Sequence, residues 1–185
     1  MSALREQHGE PTDMVFAAAD AGFRVRMTTS FAIAILVAIL IVNTLVIPRP
    51  PGNSFSFAVL GPLGGLFIIA AVWYVARIRC YRLTGGFLVV ERVLPKPQFP
   101  LVGLESVAFE PGSTAYAFKV IGIDGLGAMA GRFRNLKLGK FRAYLTDGDR
   151  AVVLRWPKQT LVVSPERPAD FVEAVRKRTG VVAHR

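Results

Sequence analysis

Two long stretches without a charged residue constrain the fold of this 185-residue chain more than any other feature. The first lies between Arg26 and Arg49, and the second ends at Arg77. At a rise of about 1.5 Å per residue, a helix over residues 27–47 covers a hydrocarbon core of about 30 Å. The sequence therefore predicts two transmembrane helices, over residues 27–47 and 57–78.

The segment between these helices, residues 48–56, contains three prolines and one glycine, which predicts a tight external loop and a helical hairpin. Arg24 and Arg26 precede the first helix, whereas the loop has only Arg49. The positive-inside rule then places residues 1–26 and the C-terminal part of the chain in the cytoplasm. The expected localisation is the cytoplasmic (inner) membrane, with the chain multi-pass and both termini cytoplasmic.

Small residues in the second span offer a surface for close helix packing. Gly61 and Gly65 have the spacing that lets two helices approach closely. Two interpretations stay open at this point. The glycines serve either packing within the hairpin or contact between two copies of the chain, which would be a homo-oligomer.

The remaining residues, 80–180, consist of short apolar runs separated by turn residues, a pattern typical of an antiparallel β-fold. Gly85-Gly86 predicts a two-residue hairpin turn between strands 80–84 and 87–93. Further strands are expected at 104–109, 116–123, 140–146, 151–156 and 159–163, with 140–146 and 151–156 forming a second hairpin. Pro168 and Gly180 bracket a predicted C-terminal helix. The fold class is α+β, mainly β: a barrel or sandwich of about seven antiparallel strands with one C-terminal helix.

That plan resembles the pleckstrin-homology (PH) domain. The segments that carry the resemblance are, in order, GRFR, KFRAYLT, AVVL, LVVSP and the DF that follows in the last helix, at residues 131–134, 140–146, 151–154, 161–165 and 170–171. With two helices before them, they are similar to the membrane-tethered bacterial PH-like family. The resemblance implies a fold and a place at the membrane. It brings no activity and no functional residues.

Residue types that carry chemistry are sparse. The only cysteine, Cys80, excludes an internal disulfide, and the two histidines, His8 and His184, lie too far apart in sequence to suggest a zinc site. Residues 125–130 match G-x-G-x-x-A but precede no crossover helix, so they predict a flexible loop between strands rather than a dinucleotide site. Ser164 precedes a proline at the start of a helix. We therefore expect no enzyme, no cofactor and no metal.

The most suggestive polar feature is a basic segment in a chain whose net charge is +10. It holds five cations within eleven residues: Arg132, Arg134, Lys137, Lys140 and Arg142. Two functions stay open beside a merely solvated strand face. One is a non-enzymatic protein-interaction or scaffold module anchored in the lipid bilayer. The other is a module that senses anionic lipid headgroups or another anionic ligand through this segment. No reading motif for nucleic acid is present.

Overall fold

The computed structural model describes residues 13–45, 54–93, 95–125 and 127–180. Of the predicted segments, residues 1–12, residues 46–47 of the first helix and residues 48–53 of the loop lie outside the described part. The elements are β1 (Met14–Ala17), α1 (Phe23–Leu45), α2 (Ser54–Ala76), β2 (Ile78–Thr84), β3 (Phe87–Arg92), β4 (Gln98–Pro100), β5 (Ser106–Phe109), β6 (Phe118–Gly125), β7 (Ala128–Asn135), β8 (Gly139–Leu145), β9 (Val152–Trp156), β10 (Gln159–Val163) and α3 (Pro168–Thr179).

The described strands form two sheets around a shared core. One has the order β1-β2-β3-β4, and the other has the order β5-β9-β10-β8-β7-β6. Tyr81 and Phe99 of the first sheet, Leu154 of the second and Phe171 of α3 are buried in one cluster. The opposite face of the larger sheet carries a second cluster, which includes Phe133. A mainly β fold with a C-terminal helix is therefore confirmed.

Two local predictions are confirmed because short-range signals determine them. Gly85 and Gly86 have φ of 54° and 83°, the positive values that a type I′ turn between β2 and β3 requires. Helix α3 begins at Pro168 and ends before Gly180, whose N–H donates to the Arg176 carbonyl at 2.8 Å. The apolar residues of α3 face the core.

The predicted pairing of residues 140–146 with 151–156 is wrong. Strand β10 lies between β8 and β9 and runs parallel to β8. The two-residue connection from Trp156 to Gln159 pairs β9 with β10 on one edge of β9. The other edge of β9 pairs with β5, so β8 lies on the far side of β10. The sheets are accordingly not wholly antiparallel and do not close into a barrel. Residues 128–135, partly expected to be a loop, form β7.

Helices α1 and α2 occupy the two charge-free segments, but the expectation of a membrane hairpin is contradicted. Over the described residues, no helix combines the length and the apolarity needed to cross a membrane. In α1 the uninterrupted apolar run is residues 31–42, which rises only about 18 Å. The predicted inner-membrane, multi-pass localisation is therefore corrected.

The helices do contact each other. A Cβ added to Gly65 would lie 3.6 Å from the side chain of Leu36, which is ordinary van der Waals contact. Gly65 of α2 thus faces α1, in agreement with the interpretation that small residues serve packing within the pair. Gly61 has no described side-chain surroundings.

A buried tyrosine links the two sheets. The hydroxyl of Tyr81, in β2, donates to the Tyr144 carbonyl at 2.8 Å and accepts from the Ser164 N–H at 3.1 Å. Burial raises the pKa of Tyr81 to about 12, so its hydroxyl stays protonated and remains a donor at neutral pH. One side chain of the smaller sheet therefore satisfies two backbone groups of the larger one.

The polar network continues to the start of the described chain. Ser164 Oγ accepts from the Thr146 N–H at 2.8 Å, and Thr146 Oγ1 donates to the Ala19 carbonyl at 2.6 Å. The Ala19 N–H returns a bond to the Ser164 carbonyl at 2.9 Å. The segment that leads into α1 is thus held by the same residues that hold the sheets together.

We expect the substitution Tyr81→Phe to lower the free energy of unfolding by about 1–3 kcal/mol. The change leaves the Tyr144 carbonyl and the Ser164 N–H buried without this partner, and unmet buried groups cost that much. Urea denaturation of the full chain measures the effect. Tyr116→Phe is the control because Tyr116 is 91% exposed. Equal stabilities of the two variants would contradict the linking role of Tyr81.

Candidate functional site

The register of β7 and β8 gathers four of the predicted cations on one face. Arg132 pairs with Arg142, and Arg134 pairs with Lys140. Because side chains alternate along a strand, the residues between them, Phe133 and Phe141, project to the other face. There the two rings are buried, with centroids 6.1 Å apart. The aromatic pair anchors both strands in the second core, and the cations are left on the opposite side.

We call these four residues, Arg132, Arg134, Lys140 and Arg142, the cationic face. Like charges placed directly opposite each other across strands repel. Within the described residues, no carboxylate forms an ion pair with any of the four, and only Arg142 has an aromatic contact, with its guanidinium 5.9 Å from the Phe99 ring centroid. Arg132, Arg134 and Lys140 are exposed. The face carries concentrated positive charge that the described protein does not neutralise.

Lys137, the fifth predicted cation, belongs to a different arrangement. Its Nζ lies 3.3 Å from Glu110 Oε2, and the other oxygen of Glu110 lies 2.7 Å from Arg155 Nη1. Partial burial by itself raises the pKa of Glu110, but the hydrogen bond and charge of Arg155, aided by Lys137, outweigh it and hold the pKa below its ordinary value. Lys137 is therefore neutralised, and the structure does not join it to the cationic face.

Strand β6 adds an apolar border to the cationic face. Phe118 pairs with Arg134, and Ile121 pairs with Arg132. Two rows result across the sheet, Phe118–Arg134–Lys140 and Ile121–Arg132–Arg142, each with an apolar side chain at the free edge followed by two cations. Phe118 is 78% exposed and Ile121 is 68% exposed. A ligand that lies across these strands meets apolar and cationic groups in a fixed order.

Sequence reasoning missed the contribution of β10 and its turn. A shallow cleft of about 380 Å³ is lined by Arg132, Lys140 and Arg142 together with Lys158, Gln159 and Thr160. Lys158 lies in the turn between β9 and β10, and β10 reaches the cationic face only because it runs parallel to β8. No local signal in the sequence indicates that neighbourhood. No local signal in the sequence indicates Arg155 either, although it lies closer to Glu110 than Lys137 does.

The hydroxyl of Ser164 is buried and makes hydrogen bonds to several neighbouring groups. Its Oγ accepts from the backbone N–H groups of Thr146 and Asp147, at 2.8 and 3.3 Å, and its other contacts are the hydroxyls of Tyr81 and Thr146. A nucleophilic serine needs an adjacent general base. The contacts of Ser164 instead fit a structural role.

Comparison with known proteins agrees with this architecture. Residues 79–179, more than half of the chain, match the family described as bacterial PH domain. The chain belongs to the bacterial PH domain family. No curated protein and no solved structure matches it. Domains of this kind are generally non-catalytic binding modules, so a functional site of this PH domain is expected on its surface.

The first hairpin of this PH domain differs from that of phosphoinositide-binding PH domains, in which basic residues surround the first hairpin loop. Here the turn between β2 and β3 is Gly85-Gly86, and both glycines are exposed. The concentrated positive charge lies instead on β7 and β8, in the other sheet.

The lowered pKa of Glu110 gives a stability prediction with a defined sign. A carboxylate whose pKa is lowered by folding stabilises the protein above its unfolded pKa, ordinarily 4.5, and loses that contribution as the pH falls through the folded value. We expect Glu110→Gln to be less stable than the parent by up to about 1 kcal/mol at pH 7.

Thermal unfolding of both proteins between pH 7 and pH 3 checks this expectation. The stability difference between them should shrink toward zero at the acidic end. Glu173→Gln is the control, because Glu173 is exposed on α3 and has no ion pair within the described residues. A difference between parent and Glu110→Gln that is independent of pH would contradict the ion-pair arrangement.

Proposed function

We propose that this PH domain is a non-enzymatic interaction module that binds an acidic segment of a partner protein on the cationic face. The observation that carries the proposal is the cross-strand register, which sets Arg132 opposite Arg142 and Arg134 opposite Lys140. Like charges directly opposite each other destabilise the free protein. An anionic ligand removes that destabilisation on binding, so the isolated face is arranged for an acidic occupant.

The border of the face favours a protein segment as the occupant. Strand β6 pairs with β7 on one side, and no strand pairs with its outer edge within the described residues. Helix α1 packs against its last residue, Gly125, whereas residues 118–122 are exposed. An extended peptide adds to such an edge through backbone hydrogen bonds, and its side chains then supply specificity. Phe118 and Ile121 would meet apolar side chains of the peptide, while its acidic side chains reach the arginines of β7.

Anionic lipid headgroups are the alternative occupant of the same cations. A headgroup supplies negative charge but neither backbone groups for the β6 edge nor an apolar partner set at strand spacing. The two occupants therefore make different demands on β6. The experiment therefore presents both kinds of occupant to the same variants.

We expect the triple substitution Arg132→Gln, Arg134→Gln, Arg142→Gln to weaken binding of an acidic peptide about tenfold. The estimate takes about 0.5 kcal/mol for each exposed charge contact. The probe is a fluorescent peptide in which every second residue is in turn glutamate and valine, with serine between them, so that both project to one face of an added strand. It is titrated with the full chain, and binding is followed by anisotropy. Raising the salt to 1 M, where the Debye length is about 3 Å, should reduce the binding of the parent.

The control variant removes the same charge elsewhere, through Arg150→Gln, Arg167→Gln and Lys177→Gln, and should bind like the parent. A peptide in which lysine replaces glutamate should not bind. Vesicles of phosphatidylglycerol are tested in parallel. Binding of the vesicles but not of the peptide, lost in the triple variant, would replace the protein partner with a lipid one. Unchanged binding of both probes by the triple variant would show a merely solvated face.

A further inference from the structure

A second basic cavity lies where the two helices meet the PH domain, away from the cationic face. It has a volume of about 630 Å³. Three arginines from three different elements line it: Arg26 of α1, Arg77 directly after α2, and Arg79 of β2. We call it the junction cleft. Nothing in the proposed function uses these residues.

Backbone hydrogen bonds hold one wall of the junction cleft in place. The Ala18 N–H donates to the Arg79 carbonyl at 3.1 Å, and the Gly22 N–H donates to the Thr146 carbonyl at 3.0 Å. The first turn of α1 follows, with the Arg26 N–H donating to the Gly22 carbonyl at 3.0 Å. The backbone positions of Arg26 and Arg79 are therefore fixed by these hydrogen bonds, and both residues line the same cavity as a consequence of the fold.

The opposite wall is formed by close packing of α2 on the domain. A Cβ added to Gly127 would lie 2.8 Å from the indole of Trp73, so only a glycine fits there. The guanidinium of Arg77 lies 5.4 Å from the Trp73 ring centroid, within the range of a cation–π contact. Arg77 is thus held at the cavity by an aromatic platform.

The charges in the junction cleft do not cancel. The three arginines face one acidic lining residue, Asp20, and none of the three forms an ion pair within the described residues. Within the described part of the chain, their one side-chain hydrogen bond runs from Arg79 Nη2 to the Tyr74 hydroxyl at 3.5 Å, the outer limit of such a bond. Each guanidinium carries five N–H donors, so most of these donors are left to water or to a ligand.

We propose that the junction cleft binds a phosphate group. The planar guanidinium matches phosphate oxygens in a bidentate arrangement, and several arginines from different elements concentrate on one anion in such sites. The cavity is far larger than one phosphate, since a water molecule occupies about 30 Å³. It therefore has room for the rest of a phosphate ester. Free phosphate and a phospholipid headgroup share this chemistry.

Two probes distinguish these sources. The first is inorganic phosphate, titrated into the full chain by calorimetry at constant ionic strength. The second is a vesicle of phosphatidylcholine with or without phosphatidic acid, assayed by flotation. The test variant is Arg26→Gln, Arg79→Gln, and the control is Arg167→Gln, Lys177→Gln, which removes the same charge from α3 and the residue before it. Each arginine removed should weaken binding about tenfold.

A second readout does not depend on substitution of the arginines. Binding of phosphate that draws on Arg77 changes the fluorescence of Trp73, and the signal should disappear in Trp73→Phe. Trp156, the other tryptophan, is buried against Pro100 and should not respond. This readout decides the matter if the double variant fails to fold.

Each outcome of these experiments either supports the phosphate site or overturns it. Loss of inorganic phosphate binding in the double variant supports the site with free phosphate as the ligand. Binding only to vesicles with phosphatidic acid, again lost in the double variant, supports it with a lipid headgroup. No binding of either probe by the parent, or equal loss in the α3 control, overturns the proposal. The cationic-face variant should bind phosphate like the parent, so this proposal and the proposed function fail independently.

Discussion

The buried hydroxyl of Tyr81 is the constraint on which the rest of the structure depends. It reaches from the smaller sheet to backbone groups at the ends of β8 and β10, the two strands whose parallel pairing no local turn enforces. In a low-dielectric interior an unmet polar group is costly, so alternative arrangements of these strand ends are disfavoured. Through Ser164 and Thr146 the same network fixes the segment before α1, and with it one wall of the junction cleft.

Local signals allowed much of the fold to be predicted. The hairpin of β2 and β3 follows from Gly85-Gly86, and α3 follows from a proline at its start and a glycine after its end. The order of β8, β10 and β9 could not be predicted from local signals, because the parallel pairing of β8 with β10 depends on packing between segments distant in sequence. Helix α1 shows a similar limit. Absence of charge is not the same as continuous apolarity, and residues 28–30 of α1 are Thr-Thr-Ser.

Part of the cationic face could be predicted from the sequence. Alternation along a strand was enough to set Lys140 and Arg142 on one side and Phe141 on the other. The position of Arg132 opposite Arg142 depends on the register of two strands, which the sequence does not indicate. Lys137 does not belong to the cationic face because it forms an ion pair with Glu110, a residue remote in sequence. The alignment of Ile121 with Arg132 depends on a β-bulge between Lys119 and Ile121, which no composition signal marks.

The pairing of β1 with β2 makes the folding unit discontinuous in sequence. Phe16 lies opposite Tyr81, so both helices are an insertion between neighbouring strands of one sheet. The segment that matches the PH family, residues 79–179, begins one residue into β2 and does not include β1. A fragment cut at that boundary leaves the outer edge of β2 bare and Thr146 Oγ1 without its acceptor at Ala19. The sheet is therefore complete only after β1 has paired with β2, which closes a long loop that contains both helices. A contact between residues so distant in sequence has a high contact order.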